Sequence, residues 1–158
     1  MFRIGFGFDT HRLEEGFSFR LGGIDVPHTK GAMGHSDADA LIHAICDALL
    51  GAAGLRDIGY QFPDSAQEFK GIDSKILLTR ICKILDEKKF SVVNIDSTVV
   101  LQSPKISSLI PRMIEQLSLV MGISGERISI KAKTSEKLGF IGREEGVSAY
   151  AVCLIQKM

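Results

Sequence analysis

Met1-Phe-Arg-Ile-Gly-Phe-Gly-Phe-Asp-Thr-His11 alternates between two kinds of residue, and that alternation decides how the chain folds around it. Phe2, Ile4, Phe6 and Phe8 share one face of an extended strand, while Gly5, Gly7, Asp9 and His11 share the other. One face is an apolar wall. The other is two bare backbone positions, open to close approach, followed by a carboxylate and an imidazole side by side.

Working outward, Phe17–Leu21, Gly22-Gly23 and Ile24–Val26 predict a short extended pair around a tight glycine connection. Pro27 to Gly34 is expected to be loop. A helix should run from about Asp37 to Ala53, with Ser36 as N-cap and Asp39 completing an acidic capping box. The long loop Leu55–Asp64 has no predicted element of its own. A second helix is expected over about Ser74–Lys88, carrying Ile76, Leu77, Ile81, Ile84 and Leu85 on one side. Phe90–Leu101 is a Val- and Ile-rich strand, and Ser103-Pro104-Lys105 turns it into a helix ending near Met121. Pro111 moves the regular part of that helix towards Ile110. Strands over about Arg127–Lys133 and Val147–Gln156 close the chain.

That order predicts one α/β domain of the α+β type over residues 1–158, a mixed sheet with helices on one face. The last strand is apolar on both faces, so its uncovered face calls for a second subunit, and an oligomer is expected. A chain of this length buries roughly 70% of the surface its unfolded form exposes. Its 45% hydrophobic and 24% charged residues suit a globular protein, and nineteen basic residues balance nineteen acidic ones. No overall field attracts nucleic acid, and no apolar run approaches the ~20 residues of a membrane span. Cys46, Cys82 and Cys153 are odd in number, far apart and flanked by apolar residues, which predicts reduced core thiols in a cytosol-like compartment.

Asp9, His11 and a helix-borne His43 form an N2O donor set that suits Zn2+ with a fourth position open. His35, Asp39, His43 and Asp47 recur every fourth residue as a polar stripe on an otherwise apolar helix. Residue types alone leave two readings open: a metal site, or ordinary hydrogen-bonded histidines on a solvated face. His35-Ser36 at a helix start, Ser103-Pro104-Lys105, and Thr134-Ser135-Glu136 suit anions or a hard divalent ion, and each is equally compatible with capping or solvation.

Together, Arg3–His11, His35-Ser-Asp-Ala-Asp39, His43, Asp47–Ala53, Asp57-Ile-Gly59, Phe62-Pro-Asp64, Thr134–Phe140 and Gly142-Arg143 resemble the 2-C-methyl-D-erythritol 2,4-cyclodiphosphate synthase family over nearly the whole chain. The resemblance implies a metal-dependent lyase of non-mevalonate isoprenoid biosynthesis. Its reaction closes 4-diphosphocytidyl-2-C-methyl-D-erythritol 2-phosphate into the cyclic diphosphate and releases CMP. It also implies a homotrimer joined through the sheets, with active sites between subunits. By the same resemblance Zn2+ sits on Asp9, His11 and His43, and Mg2+ or Mn2+ on Glu136 with the substrate phosphates. His35 and Thr134 position the transferring group. Ser36, Asp57, Gly59 and Asp64 meet the methylerythritol side; Ser103, Lys105, Lys133, Thr134 and Ser135 surround the cytidine diphosphate. Phe140 and Arg143 are further substrate contacts. Phe8, Arg143 and Glu145 correspond to an axial channel with room for an isoprenoid diphosphate.

Phe6, Lys133 and Ser135 depart from the family's usual residues. Two other readings are a zinc phosphoesterase using metal-bound water and a non-catalytic module with a structural metal. A start at Met1 without a transit segment favours a bacterial cytoplasm over a plastid-type organelle.

Overall fold

The computed structural model describes residues 1–63 and 67–158. Its opening strand β1 (Phe2–Glu15) outruns the alternating stretch by four residues. Those extra residues pair with β4 (Lys30–Met33), inside the segment expected to be loop. Lys30-Gly-Ala-Met33 has no β-branched residue to mark it as a strand; the pairing with β1 makes it one. Between them, β2 (Arg20–Leu21) and β3 (Ile24–Asp25) form the expected tight hairpin. Its turn needs Gly22 and Gly23, whose φ values are 60° and 77°.

Helices α1 (Ala40–Ala53), α3 (Ser74–Glu87) and α4 (Ile110–Met121) follow the expected order. The short α2 (Ile58–Gln61) lies within the long loop, where no element was expected. Strands β5 (Phe90–Val100), β6 (Ile128–Lys133) and β7 (Gly146–Lys157) complete a sheet of order β4-β1-β7-β5-β6. Only β5 and β6 run parallel, and α4 lies between them in the chain. A one-turn α5 (Gly139–Gly142) precedes β7. Pro111 stands in the first turn of α4, where its missing N–H costs nothing, so the regular helix begins at Ile110 as expected.

Helix α1 lies directly on β1 and β7. A Cβ on Gly5 would sit 1.8 Å from the Ala48 carbonyl oxygen, and one on Gly7 1.9 Å from that of Ala44. The two bare backbone positions are therefore the seat of α1. Its other sides meet α3, so nearly every residue from Ala40 to Ala53 is buried, including Leu41, Ile42, Ile45 and Leu49. Burying each such side chain contributes roughly 1.5–3 kcal/mol. On α3, Leu77, Leu78, Ile81 and Leu85 are buried, whereas Ile76 is 47% exposed.

The helices leave the opposite sheet face bare. Ile4 is 73% exposed and Phe6 63%, and across the ladder from Phe6 and Phe8 stand Val152 and Tyr150. The thiols of Cys46, Cys82 and Cys153 are free, with Cys46 and Cys153 buried.

Candidate metal centre and active site

Asp9 and His11 project from β1 on the side that seats α1, and His43 comes down from that helix to meet them. His11 Nε2 is 2.8 Å from Asp9 Oδ2, His43 Nδ1 is 3.0 Å from the same oxygen, and the two ring nitrogens are 3.2 Å apart. Three donors at these separations match the roughly 3.3 Å edges of a tetrahedron with bonds near 2.0–2.1 Å. Among the described residues this trio is a group able to hold a metal ion.

The far side of each ring decides which nitrogen faces the cluster. His11 Nδ1 is 2.9 Å from the Met33 carbonyl oxygen, which only accepts, so Nδ1 carries the proton and Nε2 offers its lone pair. His43 Nε2 lies 2.8 Å from Ser74 Oγ and 3.1 Å from Ser36 Oγ, leaving Nδ1 for the cluster. Without a cation, a proton on His11 Nε2 bonds Asp9 Oδ2 in its place. Burial lowers the affinity of His11 for that proton, but the hydrogen bond and charge of Asp9 outweigh burial and leave the imidazole raised. Burial likewise lifts the Asp9 carboxyl, but hydrogen bonds from His11 and His43 outweigh it and hold the group well below the usual carboxylate range. A divalent cation replaces that proton with greater charge, so the donor set fits a metal.

The stripe proposed along the helix does not survive as a unit. His35 and Ser36 precede α1, and Asp39, not Ser36, is its N-cap. Asp39 is buried and accepts from Gly22 N (2.9 Å), Gly23 N (2.7 Å) and Ile42 N (3.0 Å), tying the hairpin to the helix start. Asp47 accepts from Ile58 N at 2.8 Å and anchors α2. These two carboxylates have backbone partners, which a helical-wheel reading has no means of seeing. Only His43 of the stripe reaches the metal cluster.

A cavity of about 370 Å³ opens on the trio, and Asp9, His11, His35, Ser36, His43 and Gly59 all line it. Phe62 and Phe69 meet edge to face at its rim, with ring centroids 5.4 Å apart. Asp57 caps α2 through Tyr60 N at 2.8 Å, next to Ile58 and Gly59, which line the cavity. Asp64 lies outside the described residues.

The other candidates gather elsewhere. Lys105, Lys133 and Thr134 line a smaller cavity of about 160 Å³ with Pro104, next to Ser103. Thr134 Oγ1 donates to Glu136 Oε1 at 2.8 Å, and Ser135 Oγ donates to the Leu138 carbonyl at 2.7 Å. Glu136 and Lys137 take left-handed φ values of 53° and 63°. That conformation costs a non-glycine residue roughly 1–2 kcal/mol. Phe140 lines a third cavity, of about 550 Å³, with His11, Lys30 and Glu145. Arg143 is exposed and makes a two-pronged ion pair with Glu145, both contacts at 3.0 Å.

Strand register relates these groups. Asp9 faces Ala149, Ala149 faces Val99, and Val99 faces Ala132, so one row crosses β1, β7, β5 and β6. The trio and the Lys133–Glu136 segment thus sit at the same end of the sheet, three strand spacings or roughly 14 Å apart. Sequence reasoning missed Ser74 and gave Asp37 no role beyond starting a helix. The available signal was Asp73-Ser74, two capping-type residues where a helix start needs one.

The YgbB family profile matches residues 2–156. The chain is 59% identical over 155 residues to the 2-C-methyl-D-erythritol 2,4-cyclodiphosphate synthase of Bacteroides thetaiotaomicron, covering 98% of each. It superposes on a solved 2C-methyl-D-erythritol-2,4-cyclodiphosphate synthase in a CDP-bound form at a TM-score of 0.90 and 37% identity, covering 98% of this chain and 100% of that one. Against the bifunctional IspDF of Campylobacter jejuni the TM-score is 0.96 at 38% identity, covering all of this chain and 43% of that one. The chain belongs to the YgbB family, and within it stands among relatives named 2-C-methyl-D-erythritol 2,4-cyclodiphosphate synthase.

Proposed function

We propose that the chain converts 4-diphosphocytidyl-2-C-methyl-D-erythritol 2-phosphate to 2-C-methyl-D-erythritol 2,4-cyclodiphosphate and CMP, as a phosphorus–oxygen lyase of non-mevalonate isoprenoid biosynthesis. The observation that carries this reading is the trio itself: a carboxylate oxygen and two imidazole lone pairs aimed at one point in a cavity that also holds His35 and Ser36. A 2-phosphate oxygen attacks the β-phosphorus, the bond from that phosphorus to the oxygen bridging to the α-phosphorus breaks, and CMP leaves with the electron pair. No protein nucleophile is needed. The obstacle is bringing two anionic phosphates together, and orientation alone is worth up to roughly 7–11 kcal/mol in such a reaction.

Asp9, His11 and His43 would hold Zn2+, and Glu136 with the substrate phosphates would hold Mg2+ or Mn2+; bound there, the ions supply positive charge against phosphate repulsion and the developing charge on CMP. His35 and the Thr134 hydroxyl orient the transferring phosphoryl group from opposite sides. Ser36, Asp57, Gly59 and Asp64 hold the methylerythritol hydroxyls. Ser103, Lys105, Lys133 and Ser135 hold the cytidine diphosphate, while Phe140 and Arg143 close the site.

These groups lie in separate cavities of one chain, roughly 14 Å apart along the sheet. A homotrimer packed through the bare sheet face brings the nucleotide cavity of one subunit to the metal cavity of the next. It also covers Ile4, Phe6 and Val152 and sets Phe8, Arg143 and Glu145 around the axis, where an isoprenoid diphosphate would fit. The bacterial origin of the relatives supports a cytoplasmic location. Incubation with the cytidyl substrate and zinc tests the proposal. Stoichiometric CMP and a cyclic diphosphate support it; a linear phosphate carrying solvent oxygen would instead mean hydrolysis by metal-bound water.

A further inference from the structure

Behind the trio runs a second chain of hydrogen bonds. Ser74, the first residue of α3, is fully buried, and its Oγ donates to Asp37 Oδ1. Asp37 Oδ2 accepts from Ser74 N at 3.1 Å, and Arg20 Nε stands 3.9 Å from that oxygen. A carboxylate only accepts, so the single hydroxyl proton of Ser74 is committed to Asp37. Towards His43, 2.8 Å away, Ser74 Oγ must therefore accept, and the proton of that contact belongs to His43 Nε2. Nδ1 faces Asp9 Oδ2 at 3.0 Å, so when a cation displaces the proton of that contact the lone pair is left on Nδ1.

Resting on the function proposed above, we infer that Asp37 and Ser74 are positioning residues that hold His43 in the Nε2–H tautomer. The strength of cation binding is thereby set from the N-terminus of α3. Ser36 does not serve this purpose equally. It is only half-buried, lies farther from Nε2 at 3.1 Å, and among the described residues no hydrogen bond takes its hydroxyl proton elsewhere, so it is compatible with either tautomer. The same stretch also braces the cavity wall. Gly71 N donates to the His35 carbonyl at 2.7 Å and Asp37 N to that of Ile72 at 3.1 Å, so residues 71–74 hold His35 and His43 in one frame. Outer partners of this kind are worth about 10–100-fold in metal affinity.

Zinc affinity, measured by competition with a chromogenic chelator, reads this directly and needs no turnover. Ser74→Ala should weaken zinc about 10–100-fold. Asp37→Asn should also weaken it, because an amide can donate to Ser74 Oγ and let the hydroxyl turn its proton towards His43. Ser74→Thr, which keeps the hydroxyl, should stay within about threefold of the parent chain. Ser36→Ala should do the same. Long-range 1H–15N correlation spectra of the zinc-loaded parent chain should show the His43 proton on Nε2. A proton on Nδ1, or affinities for both Ser74→Ala and Asp37→Asn within about twofold of the parent chain, overturns the inference. If Ser74→Ala does not fold, Asp37→Asn, close in shape to the native residue, decides alone by the same threshold. A parent chain that binds zinc tightly but releases no CMP would instead overturn the reaction and leave the tautomer result standing.

Discussion

Two imidazoles in this chain are fixed by what lies behind them. Met33 offers His11 a carbonyl and Ser74 offers His43 an acceptor, so both rings turn their other nitrogen towards Asp9. Asp9→Ala and His43→Ala should each abolish stoichiometric zinc and lower CMP release by more than about a hundredfold, since even outer-shell changes reach that scale. Circular dichroism should show the fold retained; full CMP release in either variant refutes the ligand assignment. A pH effect follows from His11, whose proton affinity is raised in the folded, metal-free chain. Its stabilising contribution is complete below the ordinary imidazole value of about 6.5 and is lost as pH climbs through the raised value. The chelated protein should therefore melt a few degrees lower at about pH 9 than at about pH 6. Calorimetry should find that drop smaller in His11→Gln and absent when zinc replaces the proton.

At the scale of elements, the centre depends on how closely α1 approaches β1. Gly7→Ala puts a Cβ 1.9 Å from the Ala44 carbonyl oxygen, one residue after His43, so helix and strand must separate. Overpacking of this kind costs roughly 1–3 kcal/mol. Thermal melting should report that loss, and zinc affinity should fall with it because His43 moves away from Asp9. Unchanged zinc affinity would mean that the trio tolerates a shifted helix. Element identities were readable because their patterns are local: the alternation of β1, the Gly22-Gly23 turn, and Pro111 at the start of α4. The pairing of β4 and the start of α1 were not, because partners distant in the chain decide them. Ser36 and Asp39 are both capable caps by residue type; the amides of Gly22 and Gly23 select Asp39.

For the whole molecule, the bare sheet face and the split site make one argument. Phe6 is 63% exposed on a wall continued by Phe8, Tyr150 and Val152. An apolar surface of this kind marks an interaction site. Phe6→Asp should disperse the proposed trimer in analytical ultracentrifugation while leaving zinc binding intact. CMP release should fall by more than about a hundredfold, because the two halves of the site no longer meet. A variant that sediments as a monomer with full turnover would place the whole active site within one chain.

What the sequence determined by itself was local chemistry: which residues alternate, which side chains can hold a cation, and which stretches carry the family's pattern. Asp9, His11 and His43 were readable as a candidate donor set because carboxylate and imidazole suit a cation. Only the tertiary structure decided that Asp39 and Asp47 serve backbone amides and that Ser74 stands behind His43. Hydrogen-bond partners are chosen by packing, and α1, α3 and the hairpin meet only when the chain has closed around them.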